Sequence, residues 1–93
     1  DAAGEQLLAV VQEALSNVAR HARAGEAAVV IDVGDDDLTL RVEDDGVGIP
    51  EGGRRSGLRN MRERAEGLGG SFSTRARPGG GTILVWRVPL KDA

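Results

Sequence analysis

Cysteine is absent from the chain, which excludes a disulfide framework, a thiolate metal site and a cysteine nucleophile. Histidine occurs once, at His21, so a multi-histidine metal centre is excluded and a serine triad would have to rest on that residue. Tyrosine is missing and the aromatics reduce to Phe72 and Trp86, which leaves a core to be built from Leu, Val, Ile and Ala. No apolar run approaches the ~20 residues of a membrane span, and no signal peptide is visible. A net charge of −3 gives no basic footprint for a general nucleic-acid binder. Lys91 is the only lysine among 12 basic residues.

What the chain does have is glycine and regular aliphatic patterning. Its 93 residues fit one domain, expected to run over 1–93 as a piece of a longer chain. A domain of this size buries only about 60–65% of its unfolded surface. The 14 glycines must lie mainly in loops, because each weakens an element interior by roughly 0.5–1 kcal/mol. That distribution points to backbone built for close approach.

The spacing of apolar residues predicts a helix over 5–23, with Leu7, Leu8, Val10, Val11, Ala14, Leu15, Val18 and Ala22 in one arc and Gly25 as its stop. Alternation predicts strands over 26–33 and 38–43, joined by the turn Gly34-Asp35-Asp36-Asp37. In the second strand Leu38, Leu40 and Val42 share one face, and Thr39, Arg41 and Glu43 the other. Residues 44–56 read as a glycine-rich loop. A second helix follows over 57–67, with Leu58, Met61, Ala65 and Leu68 on one face, and strands over 71–75 and 82–88 complete the chain. The order helix, hairpin, loop, helix, hairpin implies an α+β fold. It predicts a two-layer α/β sandwich, with a mixed, mostly antiparallel sheet and both helices on one face.

Five groups of residues can carry chemistry. Glu13, Asn17 and Arg20 share a helix face by their i, i+4, i+7 spacing, with His21 beside them. A carboxylate, an amide and a cation together suit a hydrated divalent cation and a polyphosphate, but mixed polar residues are also the mark of a solvated face. Asp44-Asp45-Gly46-Val47-Gly48-Ile49-Pro50 follows a strand directly. There Asp45 can accept from an amine and bare Gly46 and Gly48 can admit a flat ring, although Asp-Gly is equally a common turn. Ser56-Gly57-Leu58 precedes a helix, where free N–H groups bind anions or Ser56 serves as an ordinary cap. Gly79-Gly80-Gly81-Thr82 holds more glycine than a hairpin turn needs. Finally, Arg54, Arg55, Arg59, Arg62 and Arg64 could draw an acidic partner, but Glu63 and Glu66 interleave with them as on a solvated helix.

In combination these segments resemble a known family. Gln12–Ala22 resembles the N-box helix of the GHKL (Bergerat-fold) ATPases, Asp45–Ile49 their first glycine box and Ser56–Ala65 the second. Gly80-Gly81-Thr82, followed by a strand ending Val88-Pro89-Leu90, resembles their closing glycine–threonine segment. Over residues 5–90 the chain is most similar to the catalytic ATP-binding domain of sensor histidine kinases of the NarX/DesK type, including actinobacterial DevS/DosT-like sensors. The resemblance implies ATP and Mg²⁺ as ligands. Asn17 would bind the metal, and Glu13 would organise water around it or assist proton transfer. Arg20 would contact phosphate, and His21 would flank the phosphates or ribose. Asp45 would accept from the adenine amine, with Gly46 and Gly48 beside the ring. Gly57 and Leu58 would lie at the phosphate end, and Gly81 and Thr82 near Asp45.

The resemblance further implies transfer of the γ-phosphoryl group to a histidine on a separate dimerisation domain of the same kinase, and relay to a response regulator. The intact protein would be a homodimer, with this domain cytoplasmic and touching neither membrane nor nucleic acid directly. His21 would not be the acceptor, since it lies in the nucleotide-site helix. Two features depart from the family pattern: residues 49–56 make a very short lid, and Arg55 stands where the second glycine box usually has its first Gly. Two alternatives are a GHKL serine kinase of the anti-sigma-factor type and a non-enzymatic interaction module with a vestigial nucleotide site.

Overall fold

The computed structural model describes residues 2–18, 26–46 and 55–90, the side chains of Arg55 and Ser56 excepted. Two helices and four strands are described: α1 (Ala2–Asn17), β1 (Ala27–Val33), β2 (Asp37–Asp44), α2 (Arg55–Gly67), β3 (Ser71–Ala76) and β4 (Thr82–Pro89). The part of the predicted first helix beyond Val18 lies outside the described residues. No described helix is long and apolar enough to cross a membrane.

The strands form one sheet in the order β1-β2-β4-β3. Every neighbouring pair is antiparallel, so the mixed sheet expected from the sequence is purely antiparallel among the described strands. The two hairpins are joined side by side through β2 and β4, with Leu38 opposite Val88, Leu40 opposite Trp86 and Val42 opposite Leu84. This register puts one apolar row of each strand on the same face, where α1 covers β2 and α2 covers β3 and β4.

The core lies between these layers. Val10 and Ala14 come from α1, Met61 and Ala65 from α2, and Leu38, Leu40, Val42, Phe72, Leu84, Trp86 and Val88 from the sheet. Burying each large side chain contributes about 1.5–3 kcal/mol. The two aromatics are not incidental to this core: Phe72 and Trp86 are direct cross-strand partners on the helix face. The Trp86 indole Nε1–H donates to the Met61 carbonyl at 3.0 Å, which joins β4 to the middle of α2 and satisfies a buried donor. Arg62 lies over the Phe72 ring at 5.5 Å from its centroid, an interaction worth roughly 0.5–1 kcal/mol at an exposed site.

Two expectations change. The apolar arc of α1 is narrower than its sequence suggests, because Leu8 and Leu15 are exposed. Helix α1 packs on β2 and α2, and its buried side chains are Val10, Ala14 and Asn17. Correspondingly all of β1 is exposed, including Val29, Ile31 and Val33, which share a face with Val42, Leu40 and Leu38. The three glycines of the second hairpin are also all used by the turn: Gly79, Gly80 and Gly81 have φ of 88°, 115° and 106°.

Candidate functional site

At one end of the sheet, β2 finishes on Asp44 where β4 begins on Thr82, and the two residues are direct partners. Both continue the helix-facing rows, Asp44 after Leu38, Leu40 and Val42, and Thr82 before Leu84. Both are buried, at 7% exposure each. The C-terminal turn of α1 brings Asn17 over them, also buried, and the first turn of α2 brings Leu58. Together with Val18, Val42 and Leu84 these residues line one small pocket. Segments far apart in sequence thus converge on three buried polar side chains set in an apolar wall.

Asp44 is the group whose chemistry stands out. Its Oδ1 accepts from the backbone N–H of Gly46 at 3.0 Å, closing a local turn, while Oδ2 accepts no hydrogen bond from a described residue. A buried polar atom without a partner costs about 1–3 kcal/mol, more when charged, so this oxygen is fitted to receive a donor from a ligand.

Asp45, which the sequence reading placed against the adenine amine, does not line this pocket. Successive strand residues point to opposite faces, so Asp44 on the helix face turns Asp45 away from it. Asp45 is exposed, and its Oδ1 accepts from the Glu26 backbone N–H at 2.9 Å. Its own N–H donates to the Glu26 carbonyl at 3.2 Å. These two bonds tie it to the residue that precedes β1. The signal that finds Asp44 was already in the alternation of Leu38, Leu40 and Val42, extended by one step.

Glu13 lies one helical turn before Asn17 and faces α2. The missing Cβ of Gly57 is the point where they meet: a carbon placed there would stand 2.6 Å from Glu13 Oε2 and 3.6 Å from Asn17 Nδ2. A carboxylate and an amide side by side are oxygen donors of the type a hydrated Mg²⁺ takes, so these side chains fit that ion. Gly81 is bare for a different reason. A Cβ on it would stand 1.9 Å from the Asp44 carbonyl oxygen, so the second hairpin closes directly on the backbone of the pocket floor. Arg20, His21 and Gly48 lie outside the described residues. The arginines of α2 are partly occupied in the fold, Arg62 on Phe72 and Arg64 donating to Gln6 Oε1 at 2.6 Å. No ion pair joins them to Glu63 or Glu66 among the described residues.

Residues 2–92 match the family described as histidine kinase-, DNA gyrase B- and HSP90-like ATPase. The chain belongs to this family. It is 40% identical over 89 residues to the nitrate/nitrite sensor protein NarX of Escherichia coli (strain K12), covering 91% of this chain and 15% of that one. It is 36% identical over 89 residues to the sensor histidine kinase LiaS of Bacillus subtilis (strain 168), covering 92% and 25%. Among solved structures, the ATP binding domain of PrrB from Mycobacterium tuberculosis superposes with a TM-score of 0.76 at 28% identity, covering 95% of this chain and 69% of that one. The chain spans only 15% to 25% of the length of these two curated relatives. The α+β sandwich is that of the Bergerat-type ATPases, and neither the serine-kinase nor the interaction-module alternative is favoured by these relatives.

Proposed function

We propose that this chain binds ATP at the Asp44 pocket and serves as the catalytic domain of a two-component sensor histidine kinase. The observation that carries the reading is buried Asp44, whose Oδ2 accepts no hydrogen bond from a described residue, set beside Thr82 and Asn17 in an otherwise apolar pocket. Asp44 accepts from the exocyclic amine of adenine, and Thr82 lies beside it on the neighbouring strand. Val42, Leu58 and Leu84 supply the apolar wall for the ring and exclude water from it. Asn17 and Glu13 face the phosphate end. Mg²⁺, when bound there, neutralises phosphate charge, and Asn17 with Glu13 would hold it.

Phosphoryl transfer asks mostly for positioning and electrostatic stabilisation, and a rigid two-layer scaffold suits that demand. The acceptor is a histidine on the dimerisation domain of the same protein, with a response regulator downstream. The intact kinase is a homodimer whose ATP-binding part works on the cytoplasmic side.

The test is a calorimetric titration of the chain with a non-hydrolysable ATP analogue, with and without Mg²⁺. Asp44→Asn removes a hydrogen bond to a charged group, worth about 1.5–3 kcal/mol, and is expected to weaken binding by roughly 10-fold or more. Asp45→Asn is expected to change affinity by less than about threefold, since Asp45 lies outside the pocket and its Oδ1 accepts from the Glu26 backbone N–H. A folded wild-type chain that binds no nucleotide, or an Asp45→Asn effect exceeding that of Asp44→Asn, overturns the reading.

A further inference from the structure

We infer that Gly57 is a positioning residue acting through Glu13: its missing side chain is the seat of the Glu13 carboxylate, rather than a gap kept open for phosphate. This inference rests on the nucleotide reading above and deepens it. Gly57 is buried in the first turn of α2, and the atoms nearest its absent Cβ belong to α1: Glu13 Oε2 at 2.6 Å, Glu13 Cδ at 3.3 Å and Asn17 Nδ2 at 3.6 Å. An oxygen at 2.6 Å cannot coexist with a methyl group. Restoring a contact of 3.0–3.4 Å moves the carboxylate by about 0.4–0.8 Å. That displacement is available, because the obstructing atoms end a flexible side chain. The helices therefore need not separate, and the change falls on Glu13, since the Asn17 amide at 3.6 Å is already at ordinary contact distance.

Among the described residues Glu13 makes no hydrogen bond or ion pair, and the nearest backbone to its carboxylate across the helix pair is that of Gly57 in α2. Glycine is the only residue that leaves this seat open. The consequence is an uncommon split between stability and function. Alanine is the better helix former, so Gly57→Ala is expected to fold at least as well as the wild type while misplacing the group that faces the metal–phosphate end.

The experiment is a double-mutant cycle on the chain with wild type, Gly57→Ala, Glu13→Ala and the double variant. It is read by thermal melting and by titration with a non-hydrolysable ATP analogue with and without Mg²⁺. In the wild-type background Gly57→Ala is expected to weaken Mg²⁺-dependent affinity by roughly fivefold or more, a coupling of the size usual for residues in contact. Its melting temperature should be unchanged or higher. In the Glu13→Ala background, where the space is vacated, the same substitution is expected to change affinity by less than about twofold. Adenine anchored at Asp44 keeps the weakened variants measurable. Equal loss in both backgrounds places the methyl against the phosphates and overturns the inference, as does unchanged affinity for Gly57→Ala. If Gly57→Ala fails to fold, recovery of folding in the double variant supports the clash with Glu13, and no recovery overturns it. A wild type that binds no nucleotide overturns the site reading and this inference together, whereas a binding wild type with additive variants overturns only this inference.

Discussion

Replacing Gly81 by alanine separates two costs that the second hairpin otherwise mixes. Gly80 and Gly81 both hold positive φ, at 115° and 106°, where an L side chain costs about 1–3 kcal/mol. Around Gly80 a Cβ meets nothing within 4 Å, so Gly80→Ala bears the backbone cost alone. Around Gly81 it meets the Asp44 carbonyl oxygen at 1.9 Å, the Asp44 carbonyl carbon at 2.8 Å and Asp45 Cα at 2.9 Å. All three are backbone atoms that cannot swing aside. Ordinary contact at 3.4 Å requires β2 and the hairpin to part by about 1.5 Å, and overpacking of this kind adds about 1–3 kcal/mol. For a domain of this size each kcal/mol lowers the melting temperature by roughly 4–8 °C. Gly81→Ala should therefore lose about twice as many degrees as Gly80→Ala. Since the displaced carbonyl belongs to Asp44, it should also weaken binding of the ATP analogue, which Gly80→Ala should leave intact. Thermal melts and calorimetry on the two variants check this. Equal melting losses, or undiminished affinity in Gly81→Ala, would refute the reasoning.

Three further outcomes can be measured directly. Asp44→Asn should weaken nucleotide binding by roughly 10-fold or more while Asp45→Asn, judged by the same titration, acts mainly on the β1 end. Trp86→Phe removes the indole N–H bonded to the Met61 carbonyl and leaves a void in the core. A lost hydrogen bond of about 0.5–1.5 kcal/mol plus the cavity should lower the urea midpoint with little change in slope. Asp37→Asn breaks the pair in which Arg87 Nε donates to Asp37 Oδ2 at 2.9 Å. Because both partners are partly exposed, the loss should stay within about 1 kcal/mol and shrink further in melts run at high salt.

Most of the secondary structure was legible because each element carries its own period. Leu38, Leu40 and Val42 alternate cleanly, and Leu58, Met61, Ala65 and Leu68 repeat at helical spacing, so both elements appear within a residue or two of where they were expected. What local pattern does not contain is the pairing of β2 with β4, since that contact joins two hairpins about 45 residues apart. Without it nothing in the sequence says that Asp44 and Thr82 stand opposite one another. The choice of Asp45 over Asp44 in the sequence reading has a similar origin. Asp44 and Asp45 have the same side chain, and only strand parity, carried one residue past the last apolar position, tells the buried carboxylate from the exposed one. β1 hid its exposure for a third reason. Val29, Ile31 and Val33 alternate like any half-buried strand, and whether a helix lies over them is decided by where α1 docks.

The lone tryptophan has an optical consequence. Trp86 is fully buried and there is no tyrosine in the chain, so ultraviolet emission comes essentially from one indole, held in an apolar setting with its N–H on the backbone of α2. Met61, which accepts that bond, stands four positions after Gly57 at the proposed nucleotide site. The emission is thus an intrinsic, label-free gauge of how α2 is seated on the sheet. Any event that lifts or tilts the helix from its phosphate end can be followed in real time by the colour and intensity of a single side chain.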